Sequence, residues 1–174
     1  MRIYLVGFMG VGKSYLGKIW AKENNLKFCD LDEMIVQEER MPIAEIFEKN
    51  GESYFRQKEK ETLLKTLTFQ DTIIACGGGT PCFFDNIKWM KKNGTVIFLN
   101  ETVEKILLNI TNDKQVRPLL KNLNEAEKFS FIQNKLAERL PFYKQSHIIL
   151  PTEQLHTNAF KNIQYLMKNN LKNA

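Results

Sequence analysis

The sequence predicts an α/β fold built on a parallel sheet, and three observations carry that expectation. Four short apolar runs read as strands buried on both faces, longer stretches of helical periodicity separate them, and a glycine-rich turn joins the first run to the first periodic stretch. With 174 residues, 43% hydrophobic and 26% charged, the chain can bury one sizeable core and has the usual size of one domain. A single domain over residues 1–174 is therefore expected.

The first strand is Ile3 to Val6, and the helix after the glycine-rich turn carries Leu16, Ile19 and Trp20 on one face. A weaker strand, Lys27 to Cys29, leads into the acidic turn Asp30-Leu31-Asp32, with a helix beginning near Glu33. Pro42 and Gly51 bracket a short helix around Ile43 to Lys49, and Phe47 and Phe55 sit at helical positions suited to a core. Thr72 to Ala75 is the next strand and runs out into Gly77-Gly78-Gly79. Gly94 falls where the helix through Trp89 and Met90 should end, ahead of the strand Val96 to Leu99. Residues 111–124 are polar and poorly periodic apart from Arg117-Pro118-Leu119-Leu120, which predicts a mobile lid. Pro118 and Pro141 mark two further interruptions, His147 to Leu150 is the last strand, and Asn169 to Ala174 is expected to fray.

The net charge of +5 and pI near 9.0 would suit nucleic acid, but the lysines are scattered among glutamates rather than gathered into a stripe. Neither a nucleic acid nor a membrane is expected as a partner, because no apolar run approaches the ~20 residues that cross a bilayer. Arg2 and the apolar run behind it imitate the front of a secretory signal, yet Gly7, Gly10, Gly12 and Lys13 break the pattern and no cleavage site follows. A cytoplasmic monomer is expected. Cys29, Cys76 and Cys82 are odd in number and lack metal-ligand spacing, so they predict reduced, mostly buried thiols.

The most specific local signal is Gly7-Phe8-Met9-Gly10-Val11-Gly12-Lys13-Ser14, which satisfies G-x-x-x-x-G-K-[ST] between a strand and a helix. Such a loop folds backbone N–H groups around phosphates and points the positive end of the next helix at them. Gly10, Val11, Gly12, Lys13, Ser14 and Tyr15 are the expected nucleotide contacts; Lys13 supplies a point charge, and the Ser14 hydroxyl can ligate Mg²⁺. No N-K-x-D guanine-reading motif is present, which favours ATP over GTP.

A phosphate loop does not name an acceptor. Asp30 and Asp32 follow the second strand, where alternate residues of an extended segment point the same way and open parallel sheets collect ligands. Further along come Gly51-Glu52-Ser53-Tyr54-Phe55-Arg56-Gln57-Lys58-Glu59, then Gly77-Gly78-Gly79, Arg117-Pro118-Leu119-Leu120 and Arg139-Leu140-Pro141-Phe142-Tyr143. Taken in order with the phosphate loop, these segments resemble the shikimate kinase family from Ile3 to about Tyr143. The resemblance implies a three-layer P-loop kinase fold, a five-stranded parallel sheet flanked by helices, a mobile lid, and transfer from ATP to the 3-hydroxyl of shikimate in aromatic amino-acid biosynthesis.

The residue chemistry suits those roles. A monocarboxylate rich in hydroxyls calls for guanidinium forks and an acceptor carboxylate. Arg56 and Arg139 would grip the acid, while Asp32 would orient the attacking hydroxyl and take its proton. Asp30 would hold Mg²⁺ through water, and Glu59, three residues after Arg56, would steady its guanidinium. Gly77, Gly78 and Gly79 would admit the substrate closely, Gly78 most directly, and Arg117 in the lid would neutralise charge on the transferring group. The resemblance is incomplete early in the lid, where Ile110 to Lys114 stand in place of an additional adenine-stacking arginine. Duller readings exist: the aspartates as helix caps, Arg56 and Glu59 as a surface pair, Arg139 as a solvated helix residue. The competing functions are a same-fold kinase for gluconate or a nucleoside monophosphate, and a nucleotide-dependent nucleic-acid-binding module.

Overall fold

The structure, a computed structural model, describes residues 1–113, 120, 123–151, 160 and 164. Five parallel strands, β1 (Arg2–Val6), β2 (Lys27–Asp30), β3 (Thr72–Ala75), β4 (Thr95–Asn100) and β5 (Ile148–Pro151), pair in the order β2-β3-β1-β4-β5. Around them lie α1 (Lys13–Glu23), α2 (Leu31–Glu39), α3 (Ile43–Lys65), α4 (Asn86–Asn93), α5 (Val103–Asn112) and α6 (Glu125–Tyr143).

The apolar runs follow from burial on both faces. Successive strand side chains point to opposite sides, so Ile3 and Leu5 of β1 join one core with Leu16 and Trp20 of α1, Ile106 of α5 and Ile132 of α6. Tyr4 and Val6 join the other, with Leu63 of α3, Met90 of α4 and Tyr143 at the end of α6. Fully burying one such aliphatic or aromatic side chain contributes about 1.5–3 kcal/mol, against ~0.2–1 kcal/mol for an exposed ion pair, so the two sheet faces hold the fold. A small separate cluster of Ile35, Ile46 and Phe55 fastens α2 to α3 on both sides of Gly51.

Four local expectations change. The short helix after Pro42 continues as α3 to Lys65, broken only at Gly51, whose φ of 81° and ψ of 171° are non-helical. Pro141 lies inside α6, near its end, and does not interrupt it. The last strand starts at Ile148; His147 precedes it and pairs with Val96 through both its N–H and its Nδ1. Of the three thiols only Cys76 is buried, Cys29 and Cys82 being half-buried, and all are free.

The topology fixes where a ligand can sit. From β1 the chain crosses to β2 at the sheet edge, returns to β3 beside β1, and then passes to β4 on the other side of β1. Turns leaving β1, β2 and β3 therefore gather at the carboxyl end of the sheet, where the strand order reverses. No described helix is long and apolar enough to cross a membrane.

Candidate active site

The loop after β1 is pegged into the core by Phe8 and Val11, both buried. Helix α1 begins at a left-handed Gly12 (φ 88°), with no side-chain cap and no acidic residue in its first turn. Its first N–H groups are thus left without a side-chain acceptor, the condition under which a helix N-terminus receives an anion. Lys13 folds back over this opening, its Nζ donating to the Gly7 and Phe8 carbonyls at 2.9 Å each. From α5, Asn109 Nδ2 donates to the Gly10 carbonyl at 2.8 Å, and Ile110 packs where a Cβ on Gly10 would sit. Tyr15 is 69% exposed, and nothing around it accounts for its size.

Ser14 Oγ donates to Asp30 Oδ2 at 2.5 Å, joining the start of α1 to the end of β2. Two hard oxygen donors in contact at the phosphate loop fit Mg²⁺, which takes few protein ligands and keeps several waters. Asp30 has a second duty, since its Oδ1 caps α2 by accepting the N–H groups of Asp32 and Glu33. Helix α2 begins at Leu31, so Asp32 lies in its first turn and not on an extended segment. The two carboxylates come together through this cap rather than through strand alternation. Asp30 alone does the capping, and Asp32 is left for the site.

Asp32 is half-buried, and its Oδ1 is enclosed without a hydrogen-bond partner. Burial first, then the neighbouring Glu59 and Asp30 charges, push its carboxyl up to about 7, while Lys13 and Arg56 pull the other way. A carboxyl raised toward neutrality with one enclosed oxygen left unpartnered suits a proton acceptor.

The glycine run after β3 is the point of convergence. A Cβ on Gly77 would lie 2.5 Å from Glu59 Oε1 and 2.8 Å from Asp32 Oδ1; one on Gly78 would lie 3.1 Å from Arg139 Nη1, and one on Gly79 2.5 Å from Arg56 Nη1. Residues from α2, α3 and α6 therefore close on the same three peptides because those peptides carry no side chains. Arg56 is buried and held by Glu59 (Nη1 to Oε2, 2.6 Å), which also accepts from Thr80 Oγ1 at 2.5 Å. Glu52 takes its other edge, Oε1 accepting from Nε at 3.1 Å and Nη2 at 3.0 Å. The guanidinium also lies over the rings of Phe47, Phe55 and Phe83, the last with its centroid 4.5 Å away. Arg139 lies over the ring of Phe8, 5.4 Å from the centroid, which ties it to the phosphate loop. Tyr143 Oη donates to the Gly78 carbonyl at 2.6 Å. Burial pushes the nearby Cys82 thiol up to about 11, so it stays neutral.

Gly79→Ala is therefore expected to displace Arg56, because a Cβ cannot stand 2.5 Å from Nη1. Overpacking of this kind costs ~1–3 kcal/mol, and acceptor KM should rise by about tenfold or more. Steady-state kinetics with the acceptor varied check this, and an unchanged KM would place the guanidinium elsewhere.

Asp32, Arg56, Arg139 and the triple glycine are thus brought together beside the loop holding Lys13 and Ser14. Arg117 and most of the expected lid lie outside the described residues. Sequence reasoning gave no role to Glu52, Phe8, Phe83 or Tyr143. Glu52 could have been found from its i, i+4 spacing to Arg56; the contacts of Phe8, Phe83 and Tyr143 are tertiary and leave no local pattern.

A parallel sheet with this strand order, a glycine-rich loop capping α1, and a buried Arg56 and half-buried Arg139 meeting on the glycine run beside it define the class as a P-loop phosphotransferase. The family model for shikimate kinase matches residues 9–168. A shikimate kinase of Bacteroides fragilis is 39% identical over 159 residues, 91% of this chain and 89% of that one. Among solved structures, shikimate kinase from Bacteroides thetaiotaomicron superposes with a TM-score of 0.92 at 34% identity, covering 97% of this chain and 98% of that one. The shikimate kinase from Acinetobacter baumannii, solved in complex with shikimate, gives 0.83 at 33% identity over 97% and 93% of the two chains. The chain belongs to the shikimate kinase family, and that membership implies ATP as its phosphoryl donor.

Proposed function

We propose that this enzyme transfers the γ-phosphoryl group of ATP to the 3-hydroxyl of shikimate, giving shikimate 3-phosphate and ADP. The carrying observation is the meeting of Asp32, Arg56 and Arg139 on Gly77-Gly78-Gly79, beside the phosphate loop. Arg56 and Arg139 bind the ring carboxylate, and Asp32 accepts the hydroxyl proton as that oxygen attacks phosphorus and the bond to ADP breaks. Gly10, Val11, Gly12 and Tyr15 hold the phosphates by their backbone, and Lys13 meets the charge on the transferring group. Ser14 and, through water, Asp30 would hold Mg²⁺, which when bound offsets phosphate charge. Arg117 takes the lid role that the family resemblance assigns to it. The same reading has the enzyme working in the cytoplasm as a monomer, with no nucleic acid or membrane as partner.

Coupled ADP release with ATP and Mg²⁺ across shikimate, gluconate and nucleoside monophosphates tests the acceptor. Release dependent on shikimate alone is expected; release with another acceptor, or salt-sensitive binding to DNA or RNA without turnover, would replace the proposal. Arg139→Lys should raise the shikimate KM by about tenfold or more, because an ammonium cannot reproduce a two-pronged contact. An unchanged KM would put Arg139 outside the acceptor pocket.

A further inference from the structure

Arg56 carries more acidic partners than its charge requires. Glu59 holds Nη1 from a position 1% exposed, while Glu52, 58% exposed, covers the Nε–Nη2 edge with a single oxygen. Two carboxylates already surround one guanidinium, and an acidic acceptor would bring a third. We propose that Glu52 is an internal stand-in for the acceptor's carboxylate, occupying the Nε–Nη2 edge of Arg56 until the acceptor displaces it, and so filtering what may bind. The inference rests on the acceptor reading given above.

The structure says which glutamate gives way. Withdrawing Glu59 would strand a buried carboxylate beside Asp32 and break its bond with Thr80. Glu52 has only to swing into water. It directly follows Gly51, where the backbone leaves helical geometry and a Cβ would meet nothing within 4 Å, so the joint behind Glu52 is uncrowded. The guanidinium stays in place when Glu52 departs, because Glu59 and the rings of Phe47, Phe55 and Phe83 still hold it.

Displacement also discriminates. A neutral polyol cannot replace the charge that Glu52 provides, whereas a carboxylate presents the same oxygens to the same edge; the weaker competitor is turned away by the loss of an existing contact. Glu52 acts through Arg56 and is a positioning residue. Its signature is opposite to that of a supporting contact: removing a support weakens acceptor binding, whereas removing a competitor tightens it.

The test compares wild type, Glu52→Gln and Glu52→Asp by KM for shikimate, by calorimetric binding of shikimate without nucleotide, and by binding of benzoate, a ring carboxylate without hydroxyls. Glu52→Gln should lower the shikimate KM and Kd about two- to fivefold, the upper part of the range expected for a partly exposed ion pair. Glu52→Asp keeps the charge but is too short to span both nitrogens, and it should shift both constants in the same direction by less. A KM that is unchanged or raised in Glu52→Gln overturns the inference; so does a fall in Glu52→Gln with none in Glu52→Asp, which would mean long-range charge rather than a displaced contact. If wild type shows no shikimate-dependent ADP release, the acceptor reading fails by itself. The inference about Glu52 is then decided by benzoate, which should bind Glu52→Gln more tightly than wild type.

Discussion

Asp32→Asn should lower kcat with ATP and shikimate by about 10²–10⁴-fold, the usual contribution of a positioned proton acceptor. The amide keeps the shape and one acceptor oxygen, so Arg56, Glu59 and the glycine run should stay in place and the shikimate KM should change much less than kcat. The pH profile gives a second readout. With its carboxyl raised to about 7 by burial and by Glu59 and Asp30, Asp32 in the free enzyme ionises near neutrality, and kcat/KM should climb through that pH. The variant should lose this limb. Stability moves the opposite way: below about pH 4 the carboxyl is protonated folded or unfolded, and between there and about 7 the fold retains a proton that the unfolded chain releases. Stability from this group therefore falls as pH rises through the window, and Asp32→Asn should flatten that fall in a series of melting curves. A variant with near wild-type kcat would remove Asp32 from proton transfer.

Lys13→Ala is expected to cost turnover about 10²–10³-fold or more, the scale for removing one preorganised charge from a transition state that develops negative charge. Its Nζ spans the loop mouth by bonding to the Gly7 and Phe8 carbonyls, at the opening where α1 begins. The two hydrogen bonds are only partly buried, so water can replace the ammonium and the fold should survive with a small change in Tm. Loss of activity with an intact melting transition is the expected pair of results; activity near that of wild type would mean that the phosphates are neutralised by other groups.

Much of the architecture was legible because its signals are local. Uninterrupted runs such as Ile3 to Val6 are what strands buried on both faces require, and the phosphate loop depends on a spacing that any strand-turn-helix would display. Glu59 was legible from its distance along a helix. Asp32 was legible as a candidate for the site, but for an incomplete reason: its direction comes from the first turn of α2, which the Asp30 cap begins one residue beyond the strand. Pro141 misled because proline usually ends a helix, whereas here it falls close enough to the end of α6 for the helix to finish around it. Phe83 over Arg56 and Tyr143 on Gly78 depend on which elements pack together, and that is decided by the whole fold.

The bare peptides after β3 also constrain how this enzyme can diversify. Every substitution at Gly77, Gly78 or Gly79 adds volume, and there is nothing to trim, so the floor of the cradle can be blocked but not remodelled. A different acceptor would have to be accommodated around the floor, at the groups that set where Arg56 lies: the rings of Phe47 and Phe83 and the glutamate on its outer edge. Engineering libraries that spare the floor and vary those groups should retain far more folded, nucleotide-competent members than libraries that randomise both.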